Sequence, residues 1–482
     1  MSFKQLSVLL IILLVSPVFV SSIVTTKAQV SSVPQGLYLG VDAAFADVAQ
    51  TEQLIDNVST YTNFFVIGCE QKIGQNGGLG VYNETRLTVI SQYAYSRGLN
   101  FIVYSDDPFY PSKQWLANAT ENYGTHFMGI YYFDEPGGKQ LDSTELREVT
   151  SAANFTDAAN QYVKIFNYYL HNSTFAITNS FPTPNQYKLY TSDYGLYWYD
   201  YQGGYDTVFA ELGLNSGNMN YSRQLSMALC RGAATAFQRD WGVIITYGQT
   251  SYPYIENSDQ LKIDMQWAYE DGAKYIIVFD SNPSFTESIL SSQQLDAIKE
   301  MWQYAQSHPR ASNQPADRSA FVLPEDFGYS FRSPNDTVWG LWNANWSGSS
   351  SLAFVADISM SVVTFLQMWG AELDVIYPVM NGTVMSLGYL ASLGYQHVIY
   401  WNDTSIVPNM PSMPPASPAV SPNYLPGLND NPFHVGASSP HGAGTLDIYL
   451  AVTAVIVAAC IVAVTFVSRR RKSSSDESKL LA

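Results

Sequence analysis

The stretch Phe127-Met-Gly-Ile-Tyr-Tyr-Phe-Asp-Glu-Pro136 decides the fold. It is apolar and aromatic without alternation, then ends abruptly in two acids and a proline. A run of this kind suits a strand covered on both faces, as in a parallel sheet. Pro136 has no N–H to give to a ladder, so the strand stops before it. Asp134 and Glu135 therefore stand at a strand's C-terminal end. In an α/β barrel that end carries the chemistry. The plainer reading is that one acid caps the next helix and the other is solvated.

Seven further strand-like runs surround this one, at 36–41, 63–68, 101–104, 188–191, 205–210, 242–246 and 275–279. Helical spacing fills the intervals at 48–61, 84–97, 143–170, 222–238, 258–271 and 291–306, while 172–186 reads as loop. Eight strand–helix alternations over about 275 residues match a (β/α)₈ TIM barrel, placed at 32–312. A doubly wound open sheet is the alternative, but no Gly-x-Gly-x-x-Gly and no phosphate loop is present. His308, Pro309, Asn313 and Pro315 mark a boundary. Strand patterns at 319–323, 373–377 and 398–401, with a helix at 352–369, predict a small α/β domain over 318–404 with a parallel sheet. Its acids Asp357, Glu372 and Asp374 fall inside helix and strand patterns, so it is expected to carry no catalytic group.

The two ends of the 482-residue chain lie outside both domains. Lys4 followed by an apolar run and small residues predicts a signal peptide over 1–28. Residues 405–445 are rich in Pro, Ser and Gly and read as a linker. The apolar run 446–467 is long enough to span a bilayer. Arg469, Arg470, Arg471 and Lys472 follow it, which places 468–482 in the cytoplasm and the bulk of the chain outside the cell membrane. Ten Asn-x-Ser/Thr sequons agree with an exported glycoprotein.

Acidic residues number 41 against 24 basic, a formal charge of −17. Such a surface repels phosphate backbones, which argues against a nucleic-acid partner. Of three cysteines, Cys460 lies in the membrane run; Cys69 and Cys230 could form one bridge but no disulfide framework. His126, His171 and His397 are scattered without metal spacing, so no metal and no cofactor is expected.

The predicted strand ends collect Asp42, Glu70, Asp106, Asp107, Asp134, Glu135, Asp193, Glu211 and Asp280. A barrel closes these ends into one ring. Like charges in a shared cleft push their pKa values apart, leaving one protonated acid and one ionised base. That is the division glycoside hydrolysis requires. We take Asp134 as the nucleophile or base, Glu211 as the acid and Glu135 as the substitute for either. Asp42, Glu70, Asp106, Asp193 and Asp280, with Tyr132 and Trp198, are taken as substrate-binding. Aromatic faces such as those of Tyr131, Tyr132, Tyr194, Tyr197 and Trp198 suit the C–H faces of sugars, although Tyr131 and Tyr197 read as packing residues. Strands four and six lie two apart, so their acids share a layer. Their closeness favours a retaining mechanism.

Ile-Tyr-Tyr-Phe-Asp-Glu-Pro136, Thr191-Ser-Asp-Tyr-Gly-Leu-Tyr-Trp-Tyr-Asp-Tyr, Leu229-Cys-Arg-Gly-Ala-Ala-Thr and Gly272-Ala-Lys-Tyr-Ile-Ile-Val-Phe-Asp resemble segments of uncharacterised membrane-anchored, glycoside-hydrolase-like surface proteins found largely in archaea. Phe321-Val-Leu-Pro-Glu-Asp-Phe-Gly and Val338-Trp-Gly-Leu-Trp extend the resemblance over most of the ectodomain. It implies a TIM barrel followed by a small flavodoxin-like domain, and no particular substrate. One large glycosidase clan pairs an acid on strand four with a nucleophile on strand seven, and so expects a Glu near Thr246. This chain has Thr246-Tyr-Gly-Gln249 there, and looks more similar to clans that pair strands four and six. Two readings follow. One is a cell-surface glycosidase acting on an extracellular glycan; the other is a non-catalytic glycan-binding or cell-envelope protein on a degenerate barrel.

Overall fold

In the computed structural model, described residues are 34, 36–45, 47–68, 83–172, 187–213, 220–310, 318–332, 336–344 and 354–402, all within one compact unit. The expected signal peptide, linker, membrane span and tail lie outside them, as do Cys69 and Glu70. Eight parallel strands close into a barrel in chain order: β1 Tyr38–Ala43, β2 Phe64–Ile67, β3 Asn100–Ser105, β4 Phe127–Tyr132, β5 Lys188–Asp193, β6 Thr207–Leu212, β7 Asp240–Ile245 and β8 Tyr275–Asp280. β8 pairs with β1 to complete the ring. The order excludes the open doubly wound sheet.

Most strands start and end within two residues of the sequence reading. Two short helices escaped it because their glycines and aromatics hide the period. Pro136–Asp142 carries Gly137 and Gly138, and Tyr197–Gly203 is buried nearly all round. Lys113–Tyr123 is a third, capped by the Ser112 hydroxyl on the Trp115 amide. The predicted helix at 143–170 begins only at Phe155.

The barrel interior is aromatic. Tyr131, Tyr190, Phe209 and Tyr275 fill it with Phe64, Val66, Ile102, Ile244 and Ile277. Tyr190 stacks on Phe209 at 5.8 Å and meets Tyr275 edge-on at 5.6 Å. Such pairs are favoured over face-to-face sandwiches. β4 enters this interior with a register shift. Phe101 pairs with Phe127 but Ile102 pairs with Gly129, so one residue of β4 is extra. Gly129, at φ 150°, lets the Lys188 carbonyl approach to 2.0 Å of where a Cβ would stand. After the bulge Tyr131 points inward and Tyr132 outward.

The second domain is a three-stranded parallel sheet, Arg318–Val322 in the middle, flanked by Leu373–Ile376 and Tyr395–Tyr400. Helix Phe354–Trp369 covers it with Val355, Ile358, Val362, Phe365 and Leu366. Helix Phe354–Glu372 with its last turn is also the one described helix long and apolar enough to cross a membrane. The domain packs on the barrel's outer helices rather than on its mouth. Trp198 sits between Phe237 and Tyr377, and the Val375 carbonyl lies 2.6 Å from where a Gly232 Cβ would stand.

Candidate active site

The C-terminal mouth of the barrel holds a cavity of about 920 Å³, at the large end for small-molecule sites. Asp42, Asp106, Asp134, Glu135 and Glu211 line it, with Tyr104, Tyr131, Ser192, Thr246, Tyr247 and Phe285. Among the described residues, none of its lining comes from 318–402.

β4 presents its two acids through a strained turn. Phe133 and Glu135 both adopt left-handed backbone, at φ 59° and 51°. Non-glycine residues there cost on the order of 1–3 kcal/mol each, and their surroundings must hold them. The Phe133 amide donates to the Ser105 carbonyl at 3.0 Å, and the Glu135 amide to the Ser192 carbonyl at 3.1 Å. The Thr191 hydroxyl donates to the Phe133 carbonyl at 2.7 Å. Pro136, pre-set for a first helical turn, starts the next helix. That helix start is pinned by Asp193. Its carboxylate accepts the amides of Gly137 at 2.6 Å, Gly138 at 3.0 Å, Tyr194 at 2.6 Å and Gly195 at 3.1 Å. A Cβ on Gly137 would stand 2.3 Å from that carboxylate. Asp193 thus supports the site from below and does not line it.

Glu135 and Glu211 face each other in hydrogen-bonding contact. Burial, the Glu211 carboxyl and Asp134 push Glu135 well above the ordinary carboxyl range. Burial raises Glu211 to about 7, with its hydrogen bonds to Glu135 and Thr246 opposing the rise. Two touching carboxyls in a dry cleft hold one proton between them across neutral pH, and Glu135 is the tighter holder. The Thr246 hydroxyl donates to Glu211 Oε1 at 2.9 Å, while Oε2 has no hydrogen-bond partner among the described residues. Thr246 therefore stands at the end of β7 where a second acid was looked for, and fixes the β6 acid instead. Asp134 Oδ1 accepts from the hydroxyls of Ser192, at 2.9 Å, and Tyr131. The Lys139 ammonium bonds the Asp134 carbonyl and lies 5.0 Å over the Phe133 ring.

The structure gathers five of the predicted site residues, Asp42, Asp106, Asp134, Glu135 and Glu211, and disperses Tyr132, Asp193, Trp198 and Asp280, while Glu70 lies outside the described residues. Asp280 is buried, accepting from Ser288 at 2.8 Å, Ile289 at 2.7 Å and Leu290 at 3.1 Å, and so ties down the loop after β8. Tyr132 points outward into the helix layer, where its carbonyl accepts from Tyr205 at 3.1 Å. Trp198 packs between the domains, as above. The aromatic rim read from 194–205 is interior packing: Tyr194, Tyr197, Tyr199, Tyr201 and Tyr205 are all buried. Conversely Tyr131, read as packing, lines the cavity. The β4 bulge decides which tyrosine faces inward, and no residue pattern announces it. Ser192, Thr246 and Tyr247 were missed because strand-end hydroxyls carry no distinctive spacing. Cys230 is a free, buried thiol.

No family model and no curated protein matches the sequence. Among solved structures, the chain is similar to GH5_18 from Streptomyces cattleya in complex with GlcNAc, at 11% identity and TM-score 0.49, over 77% of this chain and 99% of that one. It is also similar to a β-galactosidase from the Antarctic haloarchaeon Halorubrum lacusprofundi, at 10% identity and TM-score 0.48, over 76% and 69%. An endo-β-1,4-mannanase from Thermotoga petrophila matches at 8% identity and TM-score 0.38, over 60% and 82%. These neighbours are glycoside hydrolase barrels, and at such identities and scores the likeness says nothing of reaction or substrate.

Proposed function

We propose that the protein is a glycoside hydrolase acting on an extracellular glycan, with Glu135 and Glu211 as its working pair. The observation that carries this is the contact of those two buried carboxyls at the barrel mouth, both with raised pKa values. Glu135, the firmer proton holder, is the general acid. Glu211 is the nucleophile, held through Oε1 by Thr246, while its buried Oε2 has no hydrogen-bond partner among the described residues. This differs from the roles expected from the sequence, where Asp134 was the nucleophile or base, Glu211 the acid and Glu135 the substitute for either. Asp134, bonded to Tyr131 and Ser192, orients substrate.

Glu211 Oε2 attacks the anomeric carbon as the glycosidic C–O bond breaks and the leaving oxygen takes the Glu135 proton. Water then gives a proton to Glu135 and attacks the same carbon, freeing Glu211. Retention needs carboxyls about 5–5.5 Å apart and inversion about 6.5–9.5 Å, so a pair in contact lies nearer to the retaining arrangement. Exposed Phe109 and Tyr252, on loops after β3 and β7, offer apolar platforms beyond the cavity. Attachment to the cell surface through 446–467 belongs to the same proposal and rests on the sequence pattern alone.

The test is hydrolysis of a panel of oligosaccharides by the native protein, Glu135→Gln and Glu211→Gln. Each change should lower the rate by about 10²–10⁴. Thr246 in the place of a strand-seven acid favours the second reading, a binding protein on a degenerate barrel. Oligosaccharide binding without turnover, unchanged in both variants, would establish that instead.

A further inference from the structure

The cavity has an electrostatic gap that the hydrolytic pair does not use. Asp42, at the end of β1, lines it and is 3% exposed, yet its Oδ1 has no hydrogen-bond partner among the described residues. Oδ1 lies where a Cβ on Gly68 would come within 2.1 Å, so the glycine leaves the carboxyl its space. The charged and titratable groups acting on Asp42 are Asp134 and Asp280, and Tyr131 stands near both Asp42 and Asp134. Asp280 is fully occupied by the loop after β8. No cation among the described residues acts on Asp42.

Two cations do line the cavity, but they are spent on backbone. Lys139 bonds the Asp134 carbonyl, and Arg147 bonds the carbonyls of Gln140 at 2.9 Å and Leu141 at 3.3 Å. No group of three His, Cys, Asp or Glu among the described residues is arranged to hold a metal ion. A buried carboxyl with an unpartnered oxygen is costly unless a proton or a cation satisfies it. Resting on the glycan reading above, we propose that the cavity takes a cationic saccharide, an unacetylated amino sugar whose ammonium docks against Asp42 and Asp134.

Burial, Asp134 and Asp280 all push the Asp42 pKa upward, which favours its protonated form in the free protein. An incoming ammonium replaces that proton: the Asp42 carboxyl and the sugar ammonium give a salt bridge and one released proton. Titration calorimetry of the full-length protein tests this, using a glucosamine tetrasaccharide, its N-acetylated counterpart and a neutral glucose tetrasaccharide. The glucosamine oligomer should bind about tenfold or more tighter than the other two, the worth of one charge-assisted hydrogen bond. Repeating the titration in buffers of different ionisation enthalpy should show about one proton released per sugar bound, a readout that needs no variant. Asp42→Asn should abolish the preference. Equal or tighter binding of the neutral or acetylated oligomer overturns the inference and leaves the glycan reading standing. Failure of every oligosaccharide to bind overturns both.

Discussion

Two regions of the molecule bury charge, and they do it in opposite ways. Between barrel and small domain, Asp374 is fully buried and accepts from Arg231 at 2.6 Å, Arg318 at 2.7 Å and the Tyr395 hydroxyl at 2.7 Å. Asp271 stands 3.6 Å from Arg231, so two acids meet two bases. At the barrel mouth Asp42, Asp134, Glu135 and Glu211 meet one another, and the nearby cations bond to backbone carbonyls. Buried ions are normally paired, because desolvation costs several kcal/mol per ion. The paired cluster therefore reads as architecture. At the mouth, burial pushes Glu135 and Glu211 toward their protonated forms, and that is what gives the pair its chemistry. Even in the paired cluster distance matters: Asp271, with a longer and shared contact, is pushed by burial to about 7.

Breaking the paired cluster should have the largest effect. Asp374→Asn leaves Arg231 and Arg318 buried without their common acceptor and should destabilise the protein by about 3–5 kcal/mol, read as a lower unfolding midpoint. Wild-type stability in this variant would remove the distinction between the regions. Gly137→Ala comes next. Its Cβ meets the Asp193 carboxylate and the Leu196 side chain, at 2.3 and 2.6 Å. Overpacking of that kind costs about 1–3 kcal/mol. Because the turn carries Glu135, the catalytic rate should fall more than the stability loss explains.

The smallest effects sharpen the comparison most, through a matched pair. Thr246→Val and Thr235→Val each delete one hydroxyl beside a buried charge, at 2.9 Å from Glu211 and 3.1 Å from Arg318. Each should cost about 0.5–1.5 kcal/mol. Only Thr246→Val should move the pH dependence, because its bond favours the charged form of Glu211. Losing it raises the Glu211 pKa, so the acid limb of activity shifts to higher pH. A shift of equal size in both variants would contradict the account.

The sequence is most readable where the physics is local. Apolar runs, seven of them ended by acids, locate all eight strands, and the run to Pro136 places Asp134 and Glu135 at the barrel mouth. Glu211 stands out because Glu is a poor cap at a strand end. What local pattern cannot say is which strand-end acid turns inward. Asp193 and Asp280 look like Asp42 in sequence, but the glycines at 137, 138 and 195 and the loop at 288–290 supply amides and a hydroxyl that consume them. The β4 bulge exchanges Tyr131 and Tyr132 between cavity and helix layer, and a one-residue slip reverses every such assignment. The small domain's support is non-local as well. Gln140 donates to the Trp339 carbonyl at 2.9 Å, and through it the domain braces the loop carrying Glu145 and Arg147 into the cavity lining.

The central claim is that Glu135 and Glu211 keep a proton that ordinary carboxyls lose. Glu211 moves from an ordinary 4.5 to about 7 on folding. The native state then binds more protons than the unfolded chain between these values, so its contribution falls as pH rises through that window. The gap corresponds to about 3 kcal/mol. The direct measurement is the unfolding free energy of the native protein and Glu211→Gln at pH 4 and pH 8. The account predicts that the variant gains about 3 kcal/mol relative to the native protein on going from pH 4 to pH 8. A difference between the two proteins that stays the same at both pH values would contradict it.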